Sequence, residues 1–238
     1  MDPIRRLRAV DAAAIDLRAA ILGGGLAIGA DLPPERALAA QLGINRLTLR
    51  AALSWLEAEG LVEAKQGRSV RVLDWTRRAG VDLLVPLLTE SVATDIAAEE
   101  RLLSDVMALR RSALVAAVGL ACQRATRADI ERLERLAAGA RLADGDDERL
   151  EADLAWARGL VDAAGSLPLS LLLNTVDRIF RLRPDLAARA LADRAAVEDV
   201  YERLPSLVWG RDPDAAQRAL GRALADLDAR SFPGDASA

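Results

Sequence analysis

Apolar positions recur at helical spacing along most of this chain. Val10, Ala14, Leu17 and Ile21 share one face of a helix expected from Ile4 to Leu22, and the run Gly23, Gly24, Gly25 stops it. After Asp31 and the Pro33-Pro34 pair, Glu35 to Gln41 reads as a second, short helix with Leu38 and Leu42 inward and Gly43 as its turn. Asn45 then offers an N-cap. From Arg46 onward, Leu49, Ala52, Leu53 and Leu56 form a single apolar stripe that Gly60 ends. A third helix is therefore buried on one side only. Its other side presents Leu47, Arg50 and Ser54, while Asn45, Arg46 and Thr48 crowd its N-terminus. Leu61 to Lys65 and Ser69 to Leu73 change to strand character around Gln66-Gly67-Arg68, a hairpin in which Gly67 supplies the positive φ of the turn.

Beyond residue 90 the helical pattern continues. It predicts helices over Ala97 to Cys122, Arg127 to Ala140, Glu148 to Ala164, Pro168 to Leu182, Pro184 to Arg203 and Asp214 to Ala229, separated by Asp144-Gly145-Asp146, Gly165-Ser166, Arg183-Pro184 and Gly210 to Pro213. No repeat of solenoid length is present. The fold class is thus mainly α: three helices and a β-hairpin, then an all-α bundle of six or seven helices. With 238 residues, two domains are expected, at 1–73 and 91–232. Between them, 74–90 carries Trp75, Leu83, Leu84, Leu87 and Leu88, too apolar for a free linker, and is expected to pack between the domains.

Composition narrows the chemistry. Apolar residues make up 52% and aromatic ones 3%, with much Ala and Leu, which favours helix on helix. Histidine is absent, so the commonest general base and metal ligand are both missing. Residues 79–238 contain no Gly-rich phosphate loop and are too short for a cofactor-dependent transferase fold, so an enzyme is not expected, nor any cofactor. The single cysteine, Cys122, cannot close an intrachain disulfide, and Asp and Arg interrupt every apolar stretch near the N-terminus. No run is apolar enough to span a membrane, and a cytoplasmic location is the expectation. Charge is uneven: residues 1–78 hold 12 basic and 9 acidic side chains, whereas 79–238 hold 20 and 27. A small basic half joined to an acidic half suits a nucleic-acid reader with a partner domain.

Two short helices across a glycine turn, followed by a basic hairpin, is the order of a winged helix-turn-helix. The third helix would read base edges while Lys65, Arg68 and Arg71 meet phosphates. The stretch LPPERALAAQLGINRLTLRAALSWLEAEGLVEAKQGRSVRV, Leu32 to Val72, closely resembles the DNA-binding domain of the GntR family of bacterial regulators, from its PER opening and LG turn through the T-x-R of the third helix to LEAEGLV and QGR. The resemblance implies that Arg36 and Arg46 contact phosphate or guanine, that Thr48 and Arg50 anchor the recognition helix, and that Gln66 and Gly67 enter the minor groove. Asn45 sits where relatives vary. Leu47 stands where relatives often have Ser or Thr, which replaces a hydroxyl contact with an apolar one to a thymine methyl. Ordinary solvated arginines paired with Glu35 and Glu57 are the competing reading.

Asp74 to Leu88 resembles the connector of the FadR subfamily of these regulators. ALRRSALVAAVGLA, TRADIERLERLA, ADLAWARGLVDAAGSLPLSLLLNTVDRIF and GRDPDAAQRALGRALADL follow the order of landmarks in its effector domain. Many relatives hold a metal through one Asp and three His. Here Asp153 matches the aspartate but Ala157, Tyr201 and Ala223 stand where histidines would lie, so no metal is expected. The resemblance implies an effector site at Arg110, Asp153 and Asn174 for a small acidic ligand: fatty acyl-CoA, a fatty acid or another carboxylate. Two readings of Arg110 stand side by side, an effector contact and a structural salt bridge in a solidly packed bundle. The expectation overall is a homodimeric regulator on a palindromic double-stranded DNA operator. Its alternatives are a constitutive DNA-binding regulator without effector and an enzyme with an appended winged helix.

Overall fold

The computed structural model describes residues 3–64, 69–90 and 96–232, without the side chains of 3–8 and 96. The chain divides into two compact units, Met1–Thr94 and Asp95–Ala238. The protein is mainly helical, with one two-stranded antiparallel sheet among the described residues.

In the first unit, α1 spans Pro3–Leu22, α2 Glu35–Gln41 and α3 Arg46–Ala58. Their apolar faces meet as the spacing required: Leu17, Ile21, Leu38, Leu49, Leu53 and Leu56 share one core, and Val10, Ala13 and Ala14 close over Ala52. Gly43 takes φ +64° between α2 and α3, where a side chain would be strained. The Asn45 side chain accepts from the Thr48 backbone N–H at 2.9 Å and caps α3. Strands β1, Val62–Ala64, and β2, Val70–Val72, pair as Val62 with Val72, Glu63 with Arg71 and Ala64 with Val70. β2 is shorter at both ends than the pattern predicts, and β1 starts one residue later than expected. A pairing that the pattern does not announce runs along the far side of β2, where Leu32 N–H donates to Val70 and Val72 N–H to Ala30.

The connector forms two single 3₁₀ turns, Trp75–Arg77 and Val81–Leu83, and a short helix α4, Leu84–Thr89. Leu83 is buried in the core of the first unit, with Trp75, Ala79 and Leu87 packed against it. Gly60, at φ +77°, ends α3, and a Cβ there would sit 3.2 Å from the Arg78 backbone, so glycine also allows the connector to approach. Arg18 of α1 joins these parts. It is 8% exposed and binds both oxygens of Glu59, just after α3, at 2.7 and 2.6 Å, and Glu90, just after α4, at 2.8 Å.

The second unit holds seven helices among its described residues: α5 Ile96–Arg124, α6 Arg127–Ala140, α7 Asp146–Ala164, α8 Leu167–Leu182, α9 Pro184–Ala190, α10 Arg194–Trp209 and α11 Pro213–Ser231. The long α5 packs on α7 and α11, with α6 and α10 completing the bundle. Leu114, Val118, Leu133, Trp156, Leu160, Leu204 and Leu220 lie in its core. The sequence pattern predicts one helix from Pro184 to Arg203, and here the structure corrects it. The chain breaks after Ala190, and Asp193 caps a new helix by accepting from Ala196 N–H at 3.2 Å. That helix then runs through Pro205 to Trp209, because burial of Leu204 and Val208 outweighs the ~3 kcal/mol that an interior proline costs. Among the described residues no helix is long and apolar enough to cross a membrane.

The Arg18 cluster makes a testable prediction. Arg18→Ala strands two partly buried carboxylates and should cost ~2–3 kcal/mol, less than the ~3–5 kcal/mol for a fully buried pair. Burial pushes the Glu90 carboxyl above its ordinary range, against the pull of Arg18. A raised folded pKa adds stability below the unfolded value and loses it as pH rises. Wild type should therefore gain on Glu90→Gln between about pH 7 and about pH 4, read as the difference in urea midpoints.

Candidate nucleic-acid interface and effector cavity

The outer side of α3 follows from the burial of its inner one. Leu49, Ala52, Leu53 and Leu56 are buried, so the opposite side of the helix faces outward. Asn45, Arg46, Leu47 and Arg50 are exposed, as is Arg36 on α2, and Leu47 keeps 59% of its surface open. Thr48 differs. It is 1% exposed, and its Oγ1 is buried without a hydrogen-bond partner, so from this position it holds the helix through its backbone and cannot itself reach a ligand. Arg50 Nε donates to both oxygens of Glu35, at 2.9 and 3.1 Å, and Arg46 lies 3.6 Å from the same carboxylate. Glu57, by contrast, accepts from Ala64 N–H and ties α3 to β1. Arg71 is likewise paired, with Asp31 at 3.0 Å. The four residues expected at the hairpin tip, Lys65, Gln66, Gly67 and Arg68, lie outside the described residues. Between α2, α3 and β2 runs an open groove of ≈ 840 Å³ whose walls include Pro34, Glu35, Arg36, Arg46, Arg50 and Ser69.

The second unit brings Arg110 of α5 and Asp153 of α7 together at its centre. Arg110 is 7% exposed and Asp153 2%. Arg110 Nη2 donates to both carboxylate oxygens at 2.7 Å, and the Tyr201 hydroxyl of α10 donates to Oδ1 at 2.8 Å. Burial works against the charge on Arg110, but Asp153 outweighs it and the guanidinium stays protonated. Burial, helped by the charge of Asp153, also pushes the Tyr201 phenol well above its ordinary range, so the hydroxyl remains a donor. Arg110 stacks over Phe180 at 5.4 Å, and Trp156 lies against Tyr201 with ring centroids 4.7 Å apart. Arg110, Asp153, Trp156 and Tyr201 line a cavity of ≈ 20 Å³ together with Asp228, which pairs with Arg111. Burial pushes the Asp228 carboxyl up, opposed by Arg111 and Arg110. The indole N–H of Trp156 is buried without a partner. Asn174 is not part of this cluster: it is exposed and accepts from Arg158 at 2.7 Å, beside Asp177.

Residues 9–72 match the family model of bacterial regulatory proteins, gntR family, and residues 105–226 match that of the FCD domain. The HTH-type transcriptional regulator Mce2R of Mycobacterium tuberculosis is 33% identical over 208 residues, which cover 84% of this chain and 81% of that one. The chain belongs to the GntR family. The FCD domain behind its helix-turn-helix fits the FadR-type branch. The HTH-type transcriptional repressor NanR of Citrobacter rodentium is 28% identical over 84% of this chain and 76% of its own. A solved structure of Lar, described as controlling the Listeria monocytogenes agr system, superposes with a TM-score of 0.53 at 16% identity over 94% of this chain and 96% of the other, a likeness of fold alone. This GntR protein is a DNA-binding transcriptional regulator, and the relatives it matches over most of their length are regulators as well.

The metal that many relatives hold does not fit the residues found here. Both oxygens of Asp153 are engaged by donors, and the guanidinium of Arg110 stands where a cation would have to be. Among the described residues no three His, Cys, Asp or Glu side chains gather closely enough to ligate one. Tyr201, matched to a lost histidine position, does reach Asp153, but as a hydrogen-bond donor. Sequence reasoning missed Trp156 and Asp228 at this cavity, because an indole on an apolar helix face and an aspartate near the end of a charged helix carry no distinguishing spacing.

Removal of one partner from the central pair should expose its cost. Arg110→Met leaves Asp153 buried and uncompensated, for a loss of ~3–5 kcal/mol, whereas Arg110→Met with Asp153→Leu should recover much of it. Calorimetry on the intact chain checks this, and a double variant as unstable as the single one would show that the pair is not coupled in this way.

Proposed function

We propose that this regulator binds a palindromic operator as a homodimer and that a small carboxylate bound near Arg110 changes its affinity for DNA. The observation that carries the DNA half is the one-sided burial of α3, which leaves Arg46, Leu47 and Arg50 exposed together beside the capped N-terminus. Arg46 and Arg50 suit phosphate or guanine, and Leu47 suits a thymine methyl. Arg36 and Asn45, exposed beside it, would add to this face, and Lys65, Gln66, Gly67 and Arg68 are expected to contact DNA as well. One winged helix reads only a few base pairs, so useful specificity calls for two copies and a two-fold site.

The effector half rests on the buried charged cluster. Arg110, Tyr201 and Trp156 line one cavity with Asp153 and Asp228, and the guanidinium, the hydroxyl and the buried indole N–H are donors suited to an acidic oxygen that takes the place of Asp153. A volume of ≈ 20 Å³ holds one water molecule. An effector must therefore displace Asp153 from Arg110 or part the helices, and a compact acid demands less of that movement than an acyl chain. Asn174, exposed and bound to Arg158, supports an outer role at most.

The DNA half is tested by selecting an operator from a random duplex library and measuring its affinity by fluorescence anisotropy. Arg46→Ala should lose about 10- to 100-fold in affinity while the oligomeric state by sedimentation is unchanged; wild-type affinity would refute the assigned face. For the effector half, thermal shifts are recorded against short mono-, di- and tricarboxylates, fatty acids and acyl-CoAs. A short acid should raise the Tm and alter operator binding, and Tyr201→Phe, which removes one of the three donors, should weaken both effects. A response to acyl-CoA alone would overturn the preference for a compact acid.

A further inference from the structure

Glu35 is an acidic residue in the middle of a surface that is expected to meet a polyanion. It occupies the first position of α2, directly behind the rigid Pro33-Pro34 pair, where the helix N-terminus favours a carboxylate. Its oxygens reach across to α3, 2.9 and 3.1 Å from Arg50 Nε and 3.6 Å from Arg46. The two arginines stand four residues apart on α3, so one carboxylate serves both. Each arginine side chain is 61% exposed and Glu35 30%, so this is a solvated ion pair that a competing anion can displace. Both close contacts use Nε of Arg50, and Glu35 takes no Nη hydrogen from it. The outer donors, which form the fork that matches guanine O6 and N7, are left to other partners.

From this geometry we infer that Glu35 is a positioning and specificity residue of the DNA-reading face, holding Arg46 and Arg50 in register and weakening their attraction for phosphate in DNA of any sequence. The inference rests on the assignment of that face above. The physical reason is a difference in what each contact needs. Backbone attraction depends on net charge and falls when a carboxylate neutralises part of it, whereas a base contact depends on the aim of the guanidinium, which the carboxylate improves. Glu35 thus lowers non-specific binding more than operator binding.

The test compares the full-length wild type with Glu35→Gln, which keeps the size of the side chain, and with Glu35→Asp, which keeps the charge. Each is titrated with the operator selected on the wild type and with a scrambled duplex of equal length, over a range of salt concentrations. Glu35→Gln should bind the scrambled duplex about five-fold more tightly at 0.15 M salt and steepen the log–log salt slope by about 0.9, the effect of one added cation. Its ratio of operator to scrambled affinity should fall by at least that factor, and Glu35→Asp should restore part of the ratio. A variant that merely misfolds would lose affinity for both duplexes, which is the opposite sign and overturns the inference. If the wild type does not distinguish operator from scrambled DNA, the reading face itself is wrong and the role of Glu35 falls with it. If the wild type discriminates, and Arg46→Ala abolishes that, but Glu35→Gln matches the wild type in ratio and slope, only the role of Glu35 is refuted.

Discussion

Everything this regulator offers to DNA depends on the burial of one side of α3. Leu49, Ala52, Leu53 and Leu56 are drawn into two adjoining clusters with α1, α2 and the hairpin, and a helix so held cannot roll about its axis. Rotation by one residue would take Leu49 out of the core and bury Arg50, at a cost of several kcal/mol for the charge alone. The outward set of Arg46, Leu47 and Arg50 is therefore a consequence of apolar packing, and the Asn45 cap settles where that set begins.

Arginine does two different jobs in the molecule. At the surface, Arg46, Arg50 and Arg71 sit in solvated pairs that contribute little to stability and can be exchanged for other anions. Inside, Arg18 and Arg110 each satisfy buried or half-buried carboxylates from distant parts of the chain: Glu59 and Glu90 in one case, Asp153 in the other. Such pairs add less net stability than their short distances suggest, because desolvation offsets the attraction. Their effect is to specify which segments may meet. Arg18 fixes the ends of α3 and α4 to α1, and Arg110 fixes α5 to α7 beneath Tyr201 of α10.

Much of the fold was legible in the periodicity. The helix starting at Arg127 and ending at Ala140 lies where its pattern placed it, because Thr126 and Asp129 form a capping box that the sequence displays. The break between α9 and α10 was hidden, since Leu191 and Ala192 continue the apolar spacing and Asp193 becomes a cap only once Ala196 is placed above it. The site was legible unevenly. Arg46, Leu47 and Arg50 emerge as exposed by counting along the helix, whereas Thr48, equally polar, turns out to be buried beside Leu49. Arg110 and Asp153 meet across 43 residues of sequence, while Asn174 on α8 does not join them and pairs with Arg158 instead.

Taken by itself, the sequence determines the number and type of most elements, the inward face of each helix in the first unit, and the family, because these depend on spacing within a few turns and on the run of residues from Leu32 to Val72. What only the tertiary structure decides is which charges meet. The Glu35 bridge to two arginines, the Arg18 junction and the Arg110, Asp153 and Tyr201 cluster all join residues from separate helices. The physical reason is range: hydrophobic periodicity is a local property of the chain, but a salt bridge requires two side chains within about 4 Å, and that distance is set by how whole helices pack.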